Sequence, residues 1–289
     1  MIRSVRFENF RCLRELELSL TPLTVLVGPS GSGKTSVLEG MQYRMACEHS
    51  DYWRLDATQP ISLQWTFTDG KQVRLSFPIV ELDSWSMHGH AVQGLALELR
   101  ALREDSSLGR ATTLSPNGDN LASVFASLGP AQRETVVEQL CRLVPHIGDV
   151  AVHQTGPRSQ QLRFQDRWQP GLWFTPWQVA DSALLLLAFL VLPHQTPLPD
   201  VLTLDEPERG LPPRMLREVM NMLRRLTVGT PQTPPVQVLL ATHSYELLEF
   251  VQPEEVRLLS RSTEDGSVRV NTSLQESPEW RGRSSSEPS

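Results

Sequence analysis

Lysine is nearly absent from this chain: of 27 basic residues only Lys34 and Lys71 are lysines, and the other 25 are arginines. A lysine here is a rare choice, so its position carries information. Cysteine is scarce as well, and Cys12, Cys47 and Cys141 are odd in number and widely spaced, which excludes a disulfide-stapled scaffold. No hydrophobic run is long. The longest, Ala183 to Leu192, has ten residues, about half of what a bilayer-spanning helix requires. The opening residues Met1-Ile2-Arg3-Ser4-Val5-Arg6 lack the apolar centre and small-residue cleavage site of a secretory leader, so the expected location is cytoplasmic. Basic charge is not in excess either. With a net charge of −6 and no basic run, the chain lacks the electrostatic footprint of a strong, non-specific nucleic-acid binder.

What is present is an ordinary globular composition, 39% hydrophobic and 21% charged over 289 residues, enough for one sizeable core or one core with a subordinate lobe. Arg3-Val5-Phe7 and Leu16-Leu18-Leu20 alternate with polar neighbours and predict strands, and Leu23 to Val27 is a third, nearly continuous one. A glycine-rich turn follows, then a helix from Thr35 to about Cys47. Ile61 to Phe67 and Lys71 to Phe77 predict a hairpin turning at Asp69-Gly70, and Leu95 to Leu102 is expected as a further strand. Helices are expected at Ala131 to Val144, Gln178 to Leu192 and Pro213 to Leu226, and strands at Val150 to His153, Leu162 to Phe164, Val201 to Leu204 and Val236 to Leu240. Strands alternating with helices give an α/β class with a mainly parallel core sheet.

Gly28-Pro29-Ser30-Gly31-Ser32-Gly33-Lys34-Thr35 fits the pattern G-x-x-x-x-G-K-[ST] between a strand and a helix. Glycines let backbone N–H groups turn in around phosphate oxygens, and the helix that begins there, with Ser36 in its first turn, points its positive end at them. One of the two lysines, Lys34, stands where it reaches β and γ phosphates, and the Thr35 hydroxyl is expected on Mg²⁺. The strand Val201-Leu202-Thr203-Leu204 ends in Asp205-Glu206, at the edge where open α/β sheets bind ligands. Asp205 is expected in the magnesium shell and Glu206 as the general base for the attacking water. After a third strand comes His243, placed to donate to a γ phosphate.

These elements, together with the start Phe7-Glu8-Asn9-Phe10-Arg11, the run Asp205-Glu206-Pro207-Glu208 with Gly210-Leu211, and Ala241-Thr242-His243-Ser244, resemble the ABC-type ATPase heads of the structural-maintenance-of-chromosomes (SMC) and overcoming-lysogenisation-defect (OLD) proteins. Asp119-Asn120-Leu121-Ala122-Ser123-Val124 is similar to a segment of the compact heads encoded in bacterial anti-phage operons. The resemblance implies a P-loop ATPase head over residues 1–260, with a P-loop half at about 1–55, an antiparallel β side lobe at about 56–104, a helical signature region at about 115–192 and a Walker B half at about 200–260. A short strand and a disordered tail are expected over 261–289. It also implies ATP and Mg²⁺ as ligands and a homodimer or heteromer that sandwiches ATP. Each P-loop would face a signature segment of the partner, here Ala180-Asp181-Ser182, with Glu208, Arg209 and Gly210 as the loop crossing the interface and Arg11 as a further nucleotide contact. Ala180 lacks the family's hydroxyl and Ser182 stands where it has glycine, which points to weak hydrolysis by the chain alone. Pro212 stands at a position where the family commonly has histidine, and its magnesium-sensing glutamine is left unassigned.

The function this implies is an ATP-driven switch that signals to a separately encoded effector, in anti-phage defence or DNA transactions; the alternatives are the ATPase subunit of an ABC transporter and a weakened ATP-binding module. DNA as a partner would rest on the resemblance alone. His88-Gly89-His90 and Cys47-Glu48-His49 lack a second ligand pair at zinc-like spacing, so no other metal is expected. Trp168, Trp173 and Trp177 lie close together beside the signature region and are expected to pack a loop against the core, the alternative being to stack on a base or a partner. Lys34→Ala is expected to abolish ATP binding, measured by calorimetric titration with ATP and Mg²⁺.

Overall fold

A computed structural model of the chain describes residues 1–42, 48–77 and 91–271. The chain divides into two units, one made of Met1–Gly94, Asp200–Glu206 and Thr227–Ser289, the other of Leu95–Pro199 and Pro207–Leu226.

In the first unit, β1 (Ile2–Phe10) and β2 (Leu13–Ser19) pair antiparallel, with Val5 and Phe7 buried between half-buried neighbours on one and Leu16 and Leu18 buried between exposed neighbours on the other. The predicted hairpin is present as β4 (Ile61–Phe67) and β5 (Gln72–Phe77), turning at Gly70, whose φ of +86° suits glycine. β4 pairs with β1, giving a four-stranded antiparallel sheet in the order β2-β1-β4-β5. The antiparallel lobe therefore shares its sheet with the N-terminal strands, because a strand's periodicity fixes which face is buried but not which strand it pairs with.

The second sheet has six strands in the order β14 (Val268–Asn271), β13 (Val256–Arg261), β3 (Leu23–Val27), β12 (Gln237–Thr242), β11 (Val201–Asp205) and β6 (Val92–Leu95). β13, β3, β12 and β11 run parallel, and β14 is antiparallel to β13. β3 and β12 are buried at every position and β11 at all but Asp205, as parallel strands covered on both faces are. Helix α1 (Lys34–Gln42) packs on β11 and β12. Phe7 and Phe10, stacked at 6.4 Å, close on the same helix at Gly40. The chain reaches a sheet position beyond residue 260, since β14 is an edge strand of this sheet. The short helix α7 (Tyr245–Leu248) follows β12.

The second unit holds α2 (Leu99–Arg103), β7 (Ser106–Ser107), α3 (Leu121–Ser127), α4 (Pro130–Leu143), β8 (Ile147–Gly156), β9 (Ser159–Asp166), β10 (Trp173–Phe174), α5 (Asp181–Val191) and most of α6 (Pro213–Val228). α5 is buried from Ala183 to Val191 and packs against α2, α3 and α4, as a helix apolar on all sides must be. Two expectations are corrected here. Leu95 to Leu102 is not one strand: β6 ends at Leu95 and α2 begins at Leu99, because the buried pair Ala101-Leu102 is contiguous rather than alternating and its neighbours favour helix. The helix expected from Gln178 begins at Asp181, after a turn in which the Gln178 N–H bonds the Thr175 carbonyl. The predicted continuation of α1 to Cys47 and the tail from residue 272 lie outside the described residues, as do His88 and His90. Among the described residues no helix is long and apolar enough to cross a membrane.

Gly40 sets two effects against each other. Alanine there gains about 1 kcal/mol in helix propensity, but its Cβ would stand 2.5 Å from Phe7 Cε1 and 3.2 Å from Phe10 Cε1, and overpacking costs about 1–3 kcal/mol. Gly40→Ala is expected to destabilise the protein by on the order of 1 kcal/mol in chemical denaturation, the ring clash outweighing propensity; a gain would show that the rings give way.

Candidate functional site

Three of the predicted motifs meet because three strands are parallel neighbours. In the order β3-β12-β11, Val27 lies opposite Thr242 and Ala241 opposite Asp205, so the loops leaving all three strands emerge at one edge of the sheet. The loop after β3 is the glycine-rich segment, that after β11 holds Glu206, and that after β12 holds His243.

The glycine-rich loop turns through two left-handed positions, Gly31 at φ +77° and Gly33 at φ +98°, which only glycine adopts without strain. Lys34 is buried, and its Nζ donates to the carbonyls of Gly28 at 2.8 Å and Pro29 at 3.0 Å. Its ammonium is thus held inside the loop. Ser32 Oγ is buried and makes no hydrogen bond among the described residues. Pro29 and Ser30 lie in the turn before it, and Ser36 Oγ accepts from Cys12 Sγ at 3.4 Å.

Thr35 Oγ1 donates to Asp205 Oδ2 at 2.9 Å, joining the start of α1 to the end of β11. Burial pushes the Asp205 pKa up from the ordinary carboxylate range, and the Glu206 charge adds to the rise; the Thr35 hydrogen bond and the charges of Lys34 and His243 oppose it. Next to it, Glu206 has a left-handed backbone, φ 48°, a conformation costly for a side chain of this kind. Its N–H bonds the Ala241 carbonyl at 2.8 Å, which holds the turn. Its Oε1 lies 2.8 Å from His243 Nδ1, within hydrogen-bond reach across the strand ends.

The other predicted residues stand elsewhere. The Arg11 guanidinium is committed to two carboxylates, Glu39 and Asp51, the latter at 2.8 Å through Nε. Ala180, Asp181, Ser182, Glu208, Arg209 and Gly210 all belong to the second unit. Ala180 caps α5 with no side-chain hydrogen bond, and Asp181 is the first residue of the helix. Gly210, at φ +81°, lies where a Cβ would come 2.9 Å from Leu185 Cδ1, so the 208–210 loop is tight against α5. Trp168 and Trp177 are 74% and 60% exposed, which overturns the expectation that they pack against the core. They sit in turns closed by the Leu172 N–H to the Gln169 carbonyl and the Gln178 N–H to the Thr175 carbonyl.

Two residues escaped the sequence. Gln42 donates through Nε2 to Thr203 Oγ1 at 2.9 Å, tying the last turn of α1 to the strand that carries Asp205. Arg103 binds the Asp181 carboxylate and the carbonyls of Pro176 and Val179, and lies 5.7 Å from the Trp177 ring centroid. It therefore fixes the segment leading into α5. Neither belongs to a spacing pattern, and one arginine among 25 gives no signal.

The family model described as "AAA domain, putative AbiEii toxin, Type IV TA system" matches residues 102–249, and that described as "AAA ATPase domain" matches residues 1–68. Among curated proteins, the OLD nuclease of Thermus scotoductus is 46% identical over 41 residues, which is 14% of this chain and only 8% of that protein's length. Similar solved structures include an Smc head bound to the C-winged helix domain of ScpA, with TM-score 0.59 and 10% identity over 93% of this chain and 96% of that one. The SMC head domain from Thermotoga maritima gives TM-score 0.55 at 11% identity, over 93% and 98% of the two chains. An Smc head with an extended coiled coil, bound to the C-terminal domain of ScpA derived from Pyrococcus furiosus, gives 0.52 at 9%, over 99% of each. With strand order, phosphate loop and paired acidic residues arranged as described, the chain belongs to this AAA-domain family and is an SMC- and OLD-like P-loop ATPase in fold.

Proposed function

We propose that this chain binds ATP with Mg²⁺ and hydrolyses it as one half of an ATP-sandwiching dimer, passing the resulting change to a separately encoded effector. The observation that carries the reading is the pairing of Glu206 with His243 at the sheet edge that also holds Thr35 and Asp205. A protein that only held nucleotide would have little use for a strained acidic residue hydrogen-bonded to a histidine.

The Thr35 hydroxyl and the Asp205 carboxylate, 2.9 Å apart, are hard oxygen donors of the kind Mg²⁺ takes, and a carboxylate disfavoured by its own burial is one that a cation relieves. When bound, the ion would neutralise charge between the β and γ phosphates. Lys34 exchanges the carbonyls of Gly28 and Pro29 for phosphate oxygens. The backbone N–H groups from Gly31 to Thr35, with the Ser36 N–H, line the cradle, and Ser32 Oγ adds a donor within reach of it. Glu206 takes a proton from the attacking water as its oxygen bonds to the γ phosphorus and the bond to the β–γ bridging oxygen breaks. His243, held by Glu206, orients that carboxylate and donates to the γ phosphate.

In this reading Ala180, Asp181 and Ser182 meet the partner's nucleotide, with Arg103 keeping their segment in place, and Glu208, Arg209 and Gly210 line the dimer contact. Defence is the context we favour, supported by the family description as a putative toxin of a toxin–antitoxin system. A second reading, a binder with little turnover, is favoured by Ala180, which offers the helix start no hydroxyl. Turnover by the purified chain decides between them. A rate per chain that rises with protein concentration is expected, and Glu206→Gln should retain ATP binding while losing at least a hundredfold in turnover. Normal hydrolysis by Glu206→Gln would remove Glu206 as the base, and bound ATP without turnover at any concentration would favour the binder.

A further inference from the structure

The phosphate loop is gripped from outside by the C-terminal hairpin. At its first glycine, a Cβ on Gly28 would stand 2.3 Å from the backbone oxygen of Leu259 on β13. At its last, a Cβ on Gly33 would stand 2.7 Å from Val268 Cγ2 on β14. Between them, Arg261, the last residue of β13, donates from Nε to the Gly31 carbonyl at 2.8 Å and from Nη1 to the Gly266 carbonyl at 2.7 Å. The hairpin tip is itself anchored: Arg14 bonds the Asp265 carboxylate at 2.9 Å, Arg54 bonds the Asp265 carbonyl at 2.9 Å, and Ser267 Oγ bonds Asp265 Oδ1 at 2.7 Å.

We propose that Arg261 is a positioning residue of the nucleotide site, setting the inner face of the phosphate loop from behind through the Gly31 carbonyl. This rests on the ATP reading above. The peptide that joins Gly31 to Ser32 is planar and trans, so its C=O and N–H point in opposite directions. A guanidinium that fixes the carbonyl on the outside commits the Ser32 N–H to the inside, where it now donates to the Pro29 carbonyl at 3.1 Å. Gly31, with nothing within 4 Å of its would-be Cβ, has the most freedom in the loop, and a charge-assisted hydrogen bond is what removes it. The hairpin is thereby a working part of the site although none of its residues belongs to a nucleotide-binding motif.

The test compares Arg261→Ala, Arg261→Lys and Arg269→Ala in the full chain, with Mg²⁺ and mant-ATP as probe and hydrogen exchange at residues 29–34 without nucleotide. Arg269 lies on the same hairpin and, among the described residues, pairs with Glu264 rather than with the phosphate loop, so it controls for loosening of the hairpin. Arg261→Ala is expected to raise the mant-ATP Kd about tenfold and speed exchange at residues 29–34, leaving exchange in β3 unchanged; Arg261→Lys should recover part of the affinity, and Arg269→Ala should match the wild type. Equal affinity in Arg261→Ala, or faster exchange throughout β3 and β12, overturns the proposal. Wild-type protein that binds no mant-ATP would sink the nucleotide reading itself, whereas normal wild-type binding with an unaffected Arg261→Ala would sink this inference alone.

Discussion

A single hydrogen bond, from the Thr35 hydroxyl to the Asp205 carboxylate, joins residues 170 positions apart and marks the point on which the site is built. It exists because β3, β12 and β11 lie side by side in parallel with matched ends. Shift β11 by one residue and Asp205 would face the opposite side of the sheet. β3 and β12 are buried at every position, so both strands lie inside the sheet with both faces covered. Gln42 adds a second tie from α1 to β11 through Thr203, whose side chain lies on the same face of the strand as Asp205.

Around that tie the groups sit in unfavourable surroundings that explain one another. Asp205 is held in a half-buried place that disfavours its charge, Glu206 is bent into a left-handed backbone, and Lys34 is buried with its ammonium donating to two backbone carbonyls. Each would be a defect in a structural core. Together, at one sheet edge, they form a buried cation, a strained acid and an acid disfavoured by its burial, the combination that the proposed ATP and Mg²⁺ would satisfy. Local strain of this kind persists only where surrounding structure determines it fully, and the hydrogen bond from the Glu206 N–H to the Ala241 carbonyl supplies part of that support.

The second unit shows a different principle. α5 is apolar at nearly every position and so must be enclosed by other helices, and the loops at its ends are fixed as a result. Gly210 approaches Leu185 too closely for a side chain. Arg103 holds the start of the helix, binding Asp181 and two carbonyls before it. The exposed Trp168 and Trp177 in the same region show how little a side chain's size by itself says about its burial.

The sequence by itself determined the strands and helices with strong periodicity, the glycine-rich loop and the identity of Asp205, Glu206 and His243 as residues at strand ends. These are local properties, decided by spacing along a few turns of backbone and by the rarity of lysine. Only the tertiary structure decided that β1 joins β4, that Leu99 opens a helix, and that Gln42, Arg103 and Arg261 act on the motifs. Such partnerships depend on which distant segments are brought within hydrogen-bond reach. An arginine in a chain of arginines carries no mark of its partner until the fold supplies the carbonyl or carboxylate it binds.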